Sequence, residues 1–268
     1  MSKLKSTPPP DVDIYEEENG HSARMGFLEH LDELRRRLIR SVLGIGIGTA
    51  LGSVFAGQIL QYLGQPYLTL AGGNEFLIID PTGSVVAYFR VALLVGATLA
   101  VPIVTYQLVM FIVPAMTRKE KRYFVSALPA VFFLFLLGVA FAWFVLIPPA
   151  LRFLEGFQEG LFESQWEAGR YITFVTNLLF WMGVAFETPL VLFIMSLLGF
   201  VAPRPLINNW RLAIVISAVA AAMITPTVDP VNMMLVMGPL MALYLVSIVL
   251  VIMGARIFRR GSAYKRSA

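Results

Sequence analysis

The chain has 268 residues, 57% of them hydrophobic and 14% charged, with a mean hydropathy of +0.74 and a formal net charge of +4. A soluble domain of this length cannot hide so much apolar surface, which leaves a polytopic helical membrane protein with one bundle and no second domain. The absence of cysteine excludes a disulfide frame and a thiolate metal site, and the positive charge is sorted by loop, so it does not read as nucleic-acid affinity.

Residues 1–24 contain Thr7-Pro8-Pro9-Pro10 and the acids Asp11, Asp13 and Glu16 to Glu18, and read as a disordered tail. They lack a basic region followed by an apolar one, so no cleavable signal is expected. Phe27 to Arg40 is an amphipathic helix. Phe27, Leu31, Leu34 and Leu38 fall on one face, with Glu29, Asp32 and Glu33, then Arg35, Arg36, Arg37 and Arg40, on the other. The arginines sit where cytoplasmic anchors of a span belong, and the carboxylates before them are offered to a basic ligand.

Six apolar segments follow. The first, about 41–63, carries Gly44, Gly46, Gly48 and Gly52, spacing that lets helices approach closely in lipid. A loop is expected at Gln65-Pro66, Gly72-Gly73-Asn74 and Asp80-Pro81. The second segment is about 85–113 and the third about 123–147, the latter ended by Pro148-Pro149. A polar loop from Arg152 to Arg170 precedes the fourth segment, about 171–200. The fifth covers only about 212–224, and the sixth about 233–253. A hydrocarbon core of ~30 Å needs ~20 helical residues. The fifth segment is therefore short, and either thins the bilayer locally or is shielded by its neighbours.

All but three of the 21 basic residues, Arg90, Arg152 and Arg170, lie in the tails and the even-numbered loops. By the positive-inside rule that side is cytoplasmic, which places both termini inside and agrees with six spans. The expected fold is an all-α integral membrane protein of six transmembrane helices: a tail at 1–24, a bundle at 25–255 and a basic tail at 256–268. The opposite face is acidic, with Glu75, Asp80, Glu155, Glu159, Glu163, Glu167 and Asp229.

Few residues carry chemistry. Glu187 is the one acid deep in an apolar segment, where a charge costs ~2.5–3.5 kcal/mol, so it faces protein, water or a partner. The alternative is a neutral carboxyl satisfied inside the bundle by a carbonyl loosened near Pro189. Glu33 and Glu120 are candidate ligand acids. Each alone is explained by a helix ion pair (Glu33 with Arg37) or a plain loop charge, but two carboxylates near one membrane surface can each take a guanidinium in a forked pair. Arg90 reads as snorkelling, and Gln107 and Asn177 as helix–helix hydrogen bonds. No nucleotide loop, metal motif or Ser/His/Asp set is readable, so neither an enzyme nor a cofactor or metal is expected.

His30-Leu31-Asp32-Glu33-Leu34-Arg35-Arg36-Arg37-Leu38 resembles the HLxELRxRL motif that opens the TatC family, the polytopic subunit of the twin-arginine protein translocase. Pro102 with Tyr106-Gln107, Phe111, Pro114 and Glu120 is similar to its second span and first cytoplasmic loop. Phe186-Glu187-Thr188-Pro189, Thr225-Pro226 with Asp229-Pro230, and Asp80-Pro81-Thr82 with Arg90 are similar to further blocks of that family. The resemblance runs over about residues 26–255. The chain departs from the family at Gly83, Val109 and Ala115-Met116.

The resemblance implies a receptor for Arg-Arg signal peptides in a bacterial cytoplasmic membrane, serving proton-motive-force-driven export of folded proteins. It implies single-span TatA- and TatB-type partners, a multi-copy complex and a concave bundle. Glu33, Glu120, Phe111, His30 and Arg35 would dock the peptide, and Glu187 would meet a partner or admit water. The short fifth span would belong to the partner-docking surface, and Asp229, Pro66 and Arg90 to the periplasmic side. Two other classes stay open: a small-solute transporter with Glu187 as proton carrier, and a scaffold for single-span proteins.

Overall fold

The computed structural model describes residues 13–70, 76–112, 118–157, 166–225 and 229–267, without the side chains of 13–28, 112, 118–124, 126–127 and 258–267. Among these residues the chain is all helical: α1 (Asp13–Leu70), α2 (Gly83–Ile112), α3 (Arg118–Phe141), a π-helical stretch (Ala142–Leu146), α4 (Ile147–Gly156), α5 (Ala168–Leu197), α6 (Pro203–Asn208), α7 (Trp210–Ile224) and α8 (Pro230–Ser267). Five helical stretches are long and apolar enough to cross a membrane, and α7, with 15 residues, is a shorter apolar helix. The exterior is apolar, as a lipid-facing surface requires: Val54 is 73% and Met223 75% exposed.

Lipid tails supply no hydrophobic drive between helices, so close packing through small residues carries the association. A Cβ placed on Gly48 would lie 2.5 Å from the Gly96 carbonyl oxygen, and one on Gly96 would lie 2.3 Å from the Thr49 amide nitrogen. The α1 and α2 backbones therefore touch. Gly138 of α3 and Gly183 of α5 repeat the device: a Cβ on Gly138 would lie 2.5 Å from the Met182 carbonyl oxygen. At the α5–α8 crossing, Ser196 donates its hydroxyl to the Val251 carbonyl at 2.9 Å.

Two expectations about proline are corrected. Gln65 and Pro66 do not lie in a loop, because α1 continues through them to Leu70. The turn that Pro66 disturbs is tied from outside, where the Tyr171 hydroxyl donates to the Leu63 carbonyl at 2.7 Å. Pro148 and Pro149 do not end the third segment; they occupy the first turn of α4, where a missing N–H costs least. The strain of two consecutive prolines is taken up in the π-helical turn before them, where the Ile147 amide reaches back five residues to the Ala142 carbonyl. As a result the polar loop begins after Gly156 rather than at Arg152. In contrast, α5 ends as a glycine predicts. Gly199 takes a φ of 83°, and the Phe200 amide returns to the Met195 carbonyl at 3.0 Å.

The ends of the bundle differ. At the Asp80 end, Leu77 and Glu167 form an isolated parallel bridge. Behind it Tyr67, Phe76, Trp166 and Tyr171 pack ring to ring, with Tyr67 and Phe76 4.4 Å apart. Asp80 caps the start of α2. Its carboxylate accepts from the Thr82 amide at 3.0 Å and the Thr82 hydroxyl at 2.9 Å, which hold it below the usual carboxylate range. The other end holds the Glu33 region.

Candidate functional site

The Glu33 end is built by α1 against α2. Glu33 and Arg37 are one helical turn apart, so their side chains share a face. The Arg37 guanidinium donates through Nε to Glu33 Oε1 at 2.9 Å and through a second nitrogen to the same oxygen. Its remaining arm reaches Gln107 of α2, Nη1 to Oε1 at 3.5 Å. One turn before Glu33, His30 stacks on Phe111 of α2, with ring centroids 4.5 Å apart and planes 15° from parallel. Glu29, His30, Glu33, Arg36, Arg37 and Arg40 line a polar cavity of about 450 Å³ at this corner. Arg36 is held outward by Asp32, 3.5 Å away, with both side chains exposed.

The structure thus brings together His30, Glu33 and Phe111, which the resemblance grouped. Arg35 is exposed and does not line the cavity, because a position two residues past Glu33 points ~200° around the helix. Glu120 is the third residue of α3, and its side chain lies outside the described residues, as do Pro114, Ala115 and Met116.

Glu187 lies inside α5, partly buried. Its Oε2 accepts from the Thr105 hydroxyl of α2 at 3.1 Å. Its partner is this hydroxyl from another helix rather than the carbonyl near Pro189 that the alternative reading offered. Thr105 is 7% and Gln107 8% exposed. Two residues apart on one helix, they face opposite ways, Gln107 toward α1 and Thr105 toward α5. They differ by only ~3 Å along the axis. A single level of α2 therefore touches both the Glu33 pair and Glu187.

The remaining candidates are separate from these two groups. Asp229 precedes α8 and is clamped by Asn232, whose amide donates to Oδ1 at 2.6 Å and whose side-chain nitrogen donates to Oδ2 at 3.0 Å. Asn232 is 1% exposed and its own oxygen has no partner. Arg90 is half-buried on α2, near the Asp80 end, and Pro66 lies within α1. Sequence reasoning missed Thr105, Asn232 and the Arg37–Gln107 link. The first was legible only as a hydroxyl at the right depth in an apolar run. Among the described residues no group of three or more His, Asp or Glu is placed to hold a metal.

Residues 29–239 match the family described as Sec-independent protein translocase protein (TatC). The protein of that name from Aquifex aeolicus is 36% identical over 228 residues, covering 84% of this chain and 94% of its own. That of Deinococcus radiodurans is 32% identical over 260 residues, covering 96% and 95%. The chloroplastic protein of Pisum sativum is 34% identical over 222 residues, or 82% of this chain; the match spans only 62% of the pea protein's length. A crystal structure of a twin-arginine translocase receptor, TatC, superposes with a TM-score of 0.75 at 36% identity, covering 84% of this chain and 99% of that one. The chain therefore belongs to the TatC family of Sec-independent protein translocase subunits, multi-pass membrane proteins of protein transport and not enzymes.

Proposed function

We propose that this chain is the receptor subunit of a twin-arginine translocase, binding Arg-Arg signal peptides at the Glu33 end. It also nucleates assembly with single-span TatA- and TatB-type partners for proton-motive-force-driven export of folded proteins. The observation that carries the reading is the corner where Glu33 stands in a polar cavity beside the stacked His30–Phe111 pair. A carboxylate there offers a guanidinium the forked geometry it prefers, and the ring pair supplies a flat apolar shelf next to it. Glu120, at the start of α3, is the second carboxylate of the docking surface, and Arg35, turned away from the cavity, acts on the peptide only through its charge.

In this reading α7 is the sixth membrane-crossing element, both termini are cytoplasmic, and the host is a bacterial cytoplasmic membrane. The distribution of arginine and lysine supports that orientation. At ~1.5 Å per residue, α7 reaches roughly 22 Å against a core of ~30 Å. Its outer face, Leu212, Val215, Ile216, Val219 and Met223, is exposed and apolar, the surface a partner helix would cover. Glu187 would meet a polar residue of that partner or admit water to the concave face, and the complex would hold several copies. Asp229, Pro66 and Arg90 shape the periplasmic side.

The test is equilibrium binding of matched Arg-Arg and Lys-Lys signal peptides to the protein in nanodiscs. Glu33→Gln and Glu120→Gln should each reduce Arg-Arg binding and leave Lys-Lys binding nearly unchanged. Equal binding of the two peptides to the unmodified protein would remove the receptor reading and favour the scaffold.

A further inference from the structure

At this corner Glu33 is already paired. Arg37 places two N–H groups on Oε1, and no described residue donates to Oε2. The Arg37 side chain is 19% exposed and Glu33 33%, and both line the cavity. Arg37 is also tethered to Gln107 of α2, which fixes where its guanidinium returns. The cavity lining holds three guanidiniums, Arg36, Arg37 and Arg40, against two carboxylates, Glu29 and Glu33. A doubly cationic ligand entering such a lining meets net repulsion unless a resident cation leaves its carboxylate.

We infer that Arg37 is an internal stand-in for a ligand arginine, and that docking proceeds by exchange of one guanidinium for another on Glu33. The inference rests on the receptor reading above and assigns control of its affinity to a residue. An incoming arginine can reproduce the two N–H contacts that Arg37 gives up, so the exchange is nearly even. An incoming lysine brings a compact, strongly hydrated ammonium that cannot fork onto the carboxylate, so it loses to the resident arginine. Release of Arg37 costs both ligands alike, so the arginine preference comes from the fork, and the exchange sets how tightly either peptide binds. The released Arg37 keeps its contact with the Gln107 side of the corner, so α1 and α2 stay in register while the ligand is held.

The test uses the full chain in nanodiscs with the same two peptides, and the variants Arg37→Gln and Arg37→Lys, each checked for an unchanged thermal midpoint. Removing the competitor in Arg37→Gln should tighten Arg-Arg and Lys-Lys binding alike. Each Kd should fall about threefold to fivefold, the scale of one exposed ion pair, with the preference for arginine little changed. Arg37→Lys keeps the charge but loosens the incumbent, and should bind the Arg-Arg peptide more tightly than the unmodified protein. Weaker Arg-Arg binding in both variants would mean that Arg37 orients Glu33 for the ligand, and would overturn the exchange. So would an unchanged affinity for both peptides in both variants. No preference in the unmodified protein would instead remove the receptor reading, and the exchange with it.

Discussion

Replacing Gly96 with alanine should pry the α1–α2 crossing apart. A Cβ there would lie 2.3 Å from the Thr49 amide nitrogen, 2.4 Å from its hydroxyl oxygen and 2.5 Å from its Cα. Ordinary contact begins near 3.4 Å, and two of the three atoms are backbone, so no rotamer change relieves the clash. The axes must separate by about 1 Å, which strips neighbouring pairs of a quarter to a half of their dispersion energy. Overpacking of this kind costs about 1–3 kcal/mol. Alanine regains about 1 kcal/mol of helix propensity, and a matched control cancels that gain. Gly46 and Gly57, in the interior of the partner helix α1, have nothing within 4 Å of a built Cβ. Gly96→Ala should therefore be less stable than Gly46→Ala by about 1–3 kcal/mol. Reversible unfolding in mixed micelles, followed by circular dichroism, measures the difference. Because this crossing also aligns Arg37 with Gln107 and His30 with Phe111, Gly96→Ala should weaken peptide binding as well. A difference within about 0.5 kcal/mol would refute the claim that backbone contact holds these helices.

Three further outcomes follow from named contacts. Thr105→Val removes the hydroxyl donor to Glu187. Like Glu187→Ala, it should impair transport in vesicles and partner crosslinking while leaving peptide docking largely intact; a docking loss as large as that of Glu120→Gln would contradict this division of roles. Asn232→Ala removes the side-chain donor to Asp229 Oδ2 and leaves the backbone amide on Oδ1, and should lower stability by about 1–3 kcal/mol, the scale of a hydrogen bond to a charged group, read as a lower midpoint in the same unfolding assay. Asp80 has its acidity strengthened by the two Thr82 hydrogen bonds. Its contribution is therefore fully present above the unfolded carboxylate range near ~4 and is lost as pH falls through the lower folded value. Asp80→Asn should lose less stability than the unmodified protein on acidification below about pH 4, and parallel acid titrations would disprove the capping role.

Much of the bundle is legible in the sequence because lipid leaves few options. Long apolar runs must be helices, and the shortness of α7 shows directly between Arg211 and Thr225. Glu187 stands out because an acid in such a run is costly wherever it points. Thr105 does not, since a threonine in an apolar run has its own carbonyl to bond. Only the packing of α2 on α5 reveals the carboxylate it serves. The Arg37–Gln107 link is hidden for the same reason, joining positions 70 apart in the chain. The prolines mislead in a different way. Pro66, Pro148 and Pro149 read as terminators because each lacks an N–H. In this bundle the Tyr171 hydroxyl and a π turn absorb the disturbance, and the helices run on. Gly199 does not stand out inside an apolar segment drawn to about residue 200, yet it ends α5 by its positive φ.

The central claim is that the corner of α1, α2 and the start of α3 takes an arginine pair. It is tested most directly by placing a photocrosslinker at position 120 and presenting signal peptides with Arg-Arg or Lys-Lys. The account predicts strong crosslinking to the Arg-Arg peptide, little to the Lys-Lys peptide, and loss of the first when Glu33 is changed to Gln. Equal crosslinking to both peptides, or none to either, would contradict it.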